Sequence, residues 1–473
     1  MLEKLFKLKD NNTSVRVEII GGVTTFMTMA YIIALNPNLL TNFAVGTPLW
    51  NAVFLATVIS AGVGTLLMAF LANKPFALAP GMGLNSYFAT VVASIAVAGG
   101  MTYEESFPAA LSIILISGVL FTILTLCGVR EKIVDAIPKA VRLGIPAGIG
   151  LMLVNVGLTT NAGIYTADGG PFYMLSNFFS AGPSATLAAM GPEGYHKMVL
   201  YVITFFIGLF VIAVLSHKNV KGSVLLGMVI SAVCYWIGSF ILGENPFASL
   251  STANWLPPFS DMFHTTFFKF DFKNLFDIGV FSAIMTIISF CMVDMFDTIG
   301  TLYGTAKKAG MLDENDKLPG MNRAMLSDSL ATCVGSVTGT STVTTFIESA
   351  SGVGAGARTG LASVITGVLF LACMFISPLA ALIPAPATSA ALVYVGVLMM
   401  GSLKEVDYND VSQTVPVVLL LIFMMGTSGI GNGIGIGLIA YTIIKVCTGK
   451  IKEVSPVTFI LSALFICKFF ITF

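Results

Sequence analysis

Two acidic residues lie in stretches of the sequence that are apolar enough to cross a lipid bilayer. Asp297 lies within the apolar stretch 279–304, and Glu348 ends a run of serine, threonine and apolar residues that begins at Thr340. A charged side chain at the centre of a bilayer costs roughly 2.5–3.5 kcal/mol on insertion scales, so such residues usually mark functional sites. The two carboxylates therefore predict that the chain handles a polar or protonated solute inside the membrane.

The chemistry of these side chains suits a flat solute with hydrogen-bonding edges. Glu348 can accept from two adjacent N–H donors, and Asn85, which follows a second break in the apolar pattern, offers a donor and an acceptor. Asp297 is the candidate proton carrier, because a low dielectric and a nearby carboxylate both disfavour the charged form of a carboxyl group. Thr301 lies one turn later on the same helix face and is expected to orient Asp297 through a hydrogen bond.

Each of these residues also has a structural interpretation. Glu348 could cap a helix or pair with Arg358, and Asp297 could bond to backbone that a helix break exposes. Asn85 could cap a half-helix. Asp328 lies near a predicted cytoplasmic end and is expected to cap its segment.

The composition places the chain among membrane proteins. Of its 473 residues, 56% are hydrophobic and 10% are charged, which leaves too little polar surface for a soluble protein of this length. The net charge of zero argues against a nucleic-acid partner. The cysteines and histidines form no metal-binding pattern, so no metal or cofactor is predicted. No HExxH motif or serine–histidine arrangement is present, so the chain is not expected to be an enzyme.

The apolar pattern predicts an all-α polytopic membrane protein with fourteen segments of about 20 residues. They fall near 18–37, 51–72, 81–98, 107–127, 140–158, 197–216, 221–242, 279–304, 325–338, 342–354, 360–383, 386–402, 411–427 and 430–448. A further apolar stretch, 455–472, contains Lys468 and could be another span or a helix in the membrane interface, of which the interfacial helix is favoured.

Positive charges orient these segments. With the amino terminus in the cytoplasm, 20 of the 24 Lys and Arg residues fall on or near the cytoplasmic side. Lys269 and Lys273 fall in a long outer loop, 243–278, Lys197 directly follows another, 161–196, and Lys468 lies in the last apolar stretch. This asymmetry follows the positive-inside rule. We therefore expect a multi-pass protein of the plasma (inner) membrane with its N- and C-termini in the cytoplasm.

The two halves of the segment pattern resemble each other. Ile137-Pro138 opens the fifth segment as Ile383-Pro384 opens the twelfth, which implies two repeats of seven segments. An odd number per half inverts the second copy, and inverted repeats with interrupted helices are a common transporter plan. Proline and glycine at 80–83 and the β-branched run 340–345 break segments 3 and 10, so each is predicted to contain a short β-strand followed by a half-helix.

Four stretches of the sequence carry a family resemblance. They are TTFMTMAY at 24–31 with Asn36-Pro37, ALAPGMGLN at 77–85, VDMFDTIGTL at 293–302, and GTST at 339–342 through IES at 347–349 with RTGL at 358–361. Together they resemble the adenine/guanine/hypoxanthine permease branch of the nucleobase:cation symporter family 2, within the nucleobase-ascorbate transporter superfamily. The resemblance runs along nearly the whole chain.

The resemblance implies a core domain and a gate domain. The core would comprise residues 1–138 (segments 1–4) and 279–383 (segments 8–11), and the gate residues 139–278 (segments 5–7) and 384–473 (segments 12–14 with the C-terminal helix). Substrate would lie between segments 3, 8 and 10. The residues expected to bind it are Asn85, Asp297, Glu348, Phe26, Leu84, Phe346 and Ile347, and those expected to couple protons are Asp297, Thr301 and Glu348.

The implied function is the import of a purine nucleobase, hypoxanthine or guanine before adenine, by movement of the core against the gate. A proton is the expected coupling ion and sodium is the alternative, while membrane lipid and a second copy of the chain, contacting through the gate, are the other expected partners. The main alternative is an anion transporter of the same general fold, which two acids at the binding position disfavour. An intramembrane enzyme is a weaker alternative, and the lack of a repeated pore ring disfavours a channel.

Overall fold

A computed structural model describes residues 2–42, 44–128, 136–161, 183–314 and 318–470 of the chain. Within these ranges, eleven helices are long and apolar enough to cross a membrane by their length and composition. The predicted class, an all-α polytopic membrane protein, is confirmed. Residues 162–182, which form most of the first long outer loop expected from the sequence, lie outside the described residues.

The first half follows predicted segments 1–7, with segment 1 as a broken helix and segment 3 as a strand followed by a helix. Local signals fix several ends: Thr102 and Glu105 form a capping box at Tyr103, and Thr47 caps the helix that begins at Pro48. The elements are α1 (Leu2–Phe6), α2 (Val15–Met29), α3 (Ile32–Leu40), α4 (Pro48–Leu67), β1 (Leu78–Pro80), α5 (Met82–Gly99), α6 (Tyr103–Leu126), α7 (Lys139–Val156), α8 (Pro183–His217), α9 (Ser223–Ile241) and the short loop helix α10 (Phe259–Thr265).

The second half follows predicted segments 8–14 in the same order. Three of these segments are not among the eleven apolar spans: α12 is too polar, segment 10 is a strand with a short helix, and α17 has only 16 residues. The elements are α11 (Val280–Ala309), α12 (Met321–Thr338), β2 (Val343–Thr345), α13 (Ser349–Gly354), α14 (Gly360–Ala372), α15 (Ser377–Ala381), α16 (Ala385–Met399), α17 (Val411–Gly426), α18 (Ile430–Cys447) and α19 (Pro456–Phe470).

The two strands come from different halves and pair with each other. They are antiparallel, with Ala79 opposite Thr344 at the centre of the register. The backbone N–H of Gly81 donates to Thr342 over 3.0 Å, and that of Phe346 donates to Ala77 over 3.0 Å, which extends the pairing beyond both strands. Unpaired backbone is not tolerated at membrane depth unless protein covers it. The pairing therefore satisfies the peptide groups that each helix break exposes.

A threonine hydroxyl covers the outer edge of each strand. Thr65 on α4 accepts from the N–H of Leu78 over 2.9 Å and donates to its carbonyl over 3.1 Å. Thr332 on α12 does the same for Val343, over 3.2 and 3.1 Å. Helices α4 and α12 belong to segments 2 and 9, which are equivalent positions in the two repeats. In both halves, therefore, a threonine hydroxyl on the helix before the strand bonds to the peptide groups at the strand's outer edge, as expected of repeats of seven segments.

The long helices pack in two sets. In one set, α14 lies against α2 and α4, while α12 lies against α4 and α6. In the other set, α7 lies against α16 and α17, α8 against α9 and α16, and α17 against α18. The paired strands lie within the first set, between α4 and α12, so this set holds the central site.

The C-terminal helix α19 packs along α18, and its expected position in the membrane interface stays a prediction. Thr442 and Ser462 share a hydrogen bond of 2.8 Å, and Lys468 Nζ donates to Asn432 Oδ1 over 3.2 Å. These contacts fall in reverse order along α18, so α19 runs antiparallel to a helix that can span the membrane. The sequence suggested an interfacial helix because Lys468 interrupts the apolar run, but this cation has an amide partner.

Candidate functional site

Glu348 lies immediately after β2, at the residue that precedes α13. Its side chain is half-buried, and its Oε1 accepts a hydrogen bond of 2.7 Å from the Tyr31 hydroxyl. Tyr31 occupies the break between α2 and α3, where Thr28 also donates to the Glu348 carbonyl over 3.4 Å. The side chain of Glu348 makes no capping bond to α13. The break in segment 1 therefore positions this carboxylate.

Arg358 does not neutralise Glu348. Its Nη1 donates to the carbonyls of Val353 and Ala357 over 2.9 and 2.7 Å. Its backbone N–H donates over 2.8 Å to Glu18, a fully buried carboxylate on α2 that also accepts from the N–H of Ala362 over 3.2 Å. Glu18 thus caps the start of α14, a role that sequence reasoning did not assign to it.

Asp297 lies near the middle of α11 and is half-buried. Helix α11 packs against β2 and against α13, the helix that Glu348 precedes, so the structure brings the two predicted acids onto neighbouring elements. The expected hydrogen bond from Thr301 is not found in the described structure, although Thr301 is buried one turn away. Thr301 does lie one helical turn after Asp297, as predicted, but its hydroxyl does not reach the carboxylate.

Asn85 is fully buried near the start of α5, and both ends of its amide have protein partners. Its Oδ1 accepts a short hydrogen bond from the Ser341 hydroxyl, and its Nδ2 donates to the Pro80 carbonyl over 3.4 Å. Asn85 therefore ties α5 to the segment that leads into β2. Each end of the amide keeps capacity for one further bond, because it has two N–H groups and its oxygen has two lone pairs.

The predicted apolar wall residues lie in different environments. Leu84 and Phe346 are buried, whereas Ile347 is 57% exposed. Phe26 is half-buried and packs edge-on against Phe370, with ring centroids 5.2 Å apart. The structure thus places Leu84 and Phe346 within the packed layer and Ile347 on an accessible surface beside Glu348.

Two further acids lie near Asp297: Asp294, for which the sequence left a partner role and a structural role open, and Asp328, which was expected to be a helix cap. Asp328 is fully buried in the interior of α12, where it accepts from Thr298 over 2.6 Å and from Thr345 over 2.9 Å. Its expected role as a helix cap is therefore wrong, because Gly320 occupies the cap position of α12. Asp294 is also fully buried and accepts from Thr332 over 2.9 Å.

The four acids form one group. Asp328 accepts from Thr298, the residue that follows Asp297, and Asp294 accepts from Thr332, one turn after Asp328. Within the described parts of the chain, no lysine or arginine forms an ion pair with any of them. Asp294 Oδ1 is buried without a hydrogen-bond partner. The group is thus rich in acceptors and has no compensating cation, which suits binding of N–H donors, protons or cations.

Comparison with known proteins finds relatives that match nearly the whole chain. A family model described as "Permease family" matches residues 16–436. The guanine/hypoxanthine permease PbuO of Bacillus subtilis (strain 168) is 39% identical, over 99% of this chain and 100% of that protein. The adenine permease AdeP of Escherichia coli (strain K12) is 38% identical, over 99% of this chain and 96% of that protein.

Solved structures show a similar fold. The transmembrane domain of a cyanobacterium bicarbonate transporter, BicA, aligns with a TM-score of 0.60 at 17% identity, and the alignment covers 90% of this chain and 97% of that chain. This likeness concerns the fold alone. It supports the arrangement of two inverted repeats of seven segments.

Proposed function

Because the chain belongs to this permease family and is a membrane transporter rather than an enzyme, we propose that it imports purine nucleobases by secondary active transport. Hypoxanthine and guanine are the favoured substrates, before adenine. The observation that carries this proposal is the packing of α11, which bears Asp297, against β2 and α13, between which Glu348 lies. Relatives that share 38–39% of the sequence are named as guanine/hypoxanthine and adenine permeases, which supports the same class of substrate.

The polar groups of the site suit the edge of an oxopurine. Hypoxanthine and guanine carry N–H donors on one edge, and a carboxylate is an acceptor with two oxygens. In Glu348, Tyr31 occupies one oxygen, which leaves the other to accept from the base. Ile347, which directly precedes this carboxylate and is 57% exposed, supplies apolar surface beside it, as small-molecule sites require beside a few placed polar groups.

Proton coupling is the second part of the proposal. Four carboxyl groups that have no ion-pair partner among the described residues can take up a proton together with a neutral base, because adding positive charge lowers the repulsion among them. Asp297 is the central member, since it precedes Thr298, which donates to Asp328, and lies on the helix that packs against α13. Sodium is the alternative ion. An anionic substrate is disfavoured, because the same four acids would repel it.

We also propose that the two sets of packed helices are the core and the gate, and that transport moves one against the other. The strands, Asp297 and Glu348 all belong to the core set, whereas α7, α8, α9, α16, α17 and α18 form the gate set. A site carried by one set can be exposed to either side of the membrane as that set moves, which is the alternating-access plan of inverted-repeat transporters.

The proposed location is the plasma (inner) membrane with the amino terminus in the cytoplasm, as the distribution of Lys and Arg indicates. In this orientation α19 starts on the cytoplasmic side and runs back along α18 into the membrane. A homodimer through the gate is proposed from the family resemblance. Its contact would use the exposed apolar faces of α8 and α9, which include Phe210 and Ile237.

Uptake of labelled hypoxanthine into cells that express the wild type or Glu348→Gln tests this function. We expect the wild type to accumulate hypoxanthine only while a proton gradient is present, and Glu348→Gln to lose at least tenfold of this uptake. Glu405→Gln, which neutralises an exposed acid between α16 and α17, is the matched control. If uptake persists after the proton gradient is collapsed but requires sodium, then sodium and not the proton is the coupling ion. Undiminished uptake by Glu348→Gln would remove this residue from the site.

A further inference from the structure

A cavity of about 350 Å³ lies apart from the four acids, none of which lines it. Its walls come from the ends of α3 and α9, from α8, from the loop after α9, and from the junction between α15 and α16. The predicted topology places these chain ends on the outer side of the membrane. The volume falls within the range of roughly 300–1,000 Å³ that is typical of small-molecule sites.

Aromatic rings held in fixed positions form part of the wall. Tyr201 and Tyr235 pack edge-on, with ring centroids 5.5 Å apart. The indole of Trp236 packs against Phe247 at 5.0 Å, and its Nε1 donates to the Leu382 carbonyl over 3.1 Å. Rigid rings of this kind offer flat apolar faces at little entropic cost, which suits a planar ligand.

The polar groups of the wall include one without a partner. Ser239 is 1% exposed and lines the cavity, and its hydroxyl has no hydrogen-bond partner in the described structure. Buried polar groups are nearly always hydrogen-bonded, so an unpaired hydroxyl at a cavity wall indicates a missing partner. Asn38 lies in the same wall, and its Oδ1 already accepts from Trp50 over 2.7 Å. Its amide N–H groups are therefore the part available to a ligand.

The charge of the wall is balanced. Glu244 is the charged residue among those that line the cavity, and it pairs with Lys197 over 2.6 Å. A neutral ligand therefore fits better than an ion. Flat aromatic faces, a free hydroxyl and amide groups together describe the recognition of a neutral, planar heterocycle.

We propose that this outer cavity is a second binding site for the transported base, which it holds before the base reaches the central acids. The cavity lies where the two helix sets meet, because Trp236 belongs to α9 of the gate set and Leu382 follows α15. Movement of the core against the gate would change the distance between these walls. This inference rests on the proposed function for the identity of the ligand, but its site is separate from that of Glu348.

The test uses the purified full-length chain carrying Glu348→Gln, so that binding at the central acids is weakened. Hypoxanthine is titrated while tryptophan fluorescence is recorded, and Trp236→Phe identifies the contribution of the cavity. We expect saturable quenching that is lost in Trp236→Phe. Ser239→Met and Asn245→Tyr, which place bulk at the floor and at the exposed mouth, should each raise the half-saturating concentration at least tenfold. Ile237→Leu, an exposed position on the same helix, should leave it unchanged.

Two results would overturn the outer site. One is the absence of saturable quenching, and the other is quenching that neither Ser239→Met nor Asn245→Tyr alters. Uptake measured in parallel separates this failure from failure of the proposed function. Wild-type uptake of hypoxanthine without a signal at Trp236 would reject the cavity alone. A signal at Trp236 without any uptake would reject purine import while leaving a heterocycle site in place.

Discussion

Tyr31 and Glu348 are 317 positions apart in the sequence, yet the phenol donates to the carboxylate over 2.7 Å. This bond fixes the direction of one carboxylate oxygen beside the paired strands. A carboxylate that is already oriented loses less entropy when it binds a ligand. Tyr31 is therefore a positioning residue for Glu348. Loss of its hydroxyl should weaken substrate binding more than it destabilises the fold.

Replacement of Tyr31 by Phe tests this role. A hydrogen bond to a charged group contributes about 1.5–3 kcal/mol, so Tyr31→Phe should raise the KM for hypoxanthine about tenfold or more with little change in expression. Tyr103→Phe is the matched control, because the Tyr103 hydroxyl donates to the Leu40 carbonyl over 2.7 Å, away from the acids. Equal KM values for the two variants would show that Tyr31 does not orient Glu348.

At this scale the sequence predicted the two acids but not their neighbours. Asp297 and Glu348 stand out because each is an acid within a stretch that is otherwise apolar or weakly polar, although Asp294 lies only three residues before Asp297. Asp328 lies in the more polar segment 9, where a carboxylate near a segment end looks like a helix cap. Its true partners, Thr298 and Thr345, are brought to it only by tertiary packing. The same holds for Tyr31, since no local pattern relates a tyrosine to an acid in the other half of the chain.

Among the elements, the pair of strands depends most on correct packing by its neighbours. Its two outer edges lie in the protein interior, where each unpaired peptide group would cost free energy. Thr65 and Thr332 satisfy one N–H and one carbonyl each. Both hydroxyls therefore belong to the support of the site, although neither contacts its acids Asp297 and Glu348 in the described structure.

Thr65→Val removes this hydroxyl at nearly constant volume. It leaves the N–H and the carbonyl of Leu78 without their partner, so the free energy of unfolding should fall by about 1–3 kcal/mol. The measurement is the midpoint of thermal unfolding in detergent, compared with Thr65→Ser, which keeps the hydroxyl. If the two variants unfold at the same temperature, the strand edge does not depend on this bond.

The breaks in segments 3 and 10 were predictable because proline, glycine and β-branched residues are poor helix formers. Their pairing was not, since register depends on how the two halves meet. For the last helix, α19, the sequence showed the apolar run but not the helix against which it packs. Asn432 on α18 accepts a hydrogen bond from Lys468, which allows that cation to lie along α18.

For the molecule as a whole, the two helix sets approach each other closely at Gly83 on α5. A Cβ atom added there would collide with the side chain of Ile149 on α7. The absence of a side chain therefore allows this approach of core to gate. If transport moves the two sets against each other, a methyl group at this position should block one end of the movement.

Gly83→Ala should accordingly lower hypoxanthine uptake at least tenfold, and Ile149→Ala in the same chain should restore part of it by removing the colliding atoms. The double variant measures the coupling directly. Gly401→Ala is the control, because a Cβ atom there meets nothing within 4 Å. Normal uptake by Gly83→Ala, or no recovery in the double variant, would show that this contact does not limit the movement.

The pairing of β1 with β2 also constrains how the chain is made. Residues 78–80 leave the ribosome long before residues 343–345, so the first strand enters the bilayer with no partner for its peptide groups. During this interval water, the insertion machinery or another part of the nascent chain must shield them. Assembly of the binding centre is therefore a late event in biosynthesis, and truncated products that end before residue 343 should be recognised and degraded by membrane quality control.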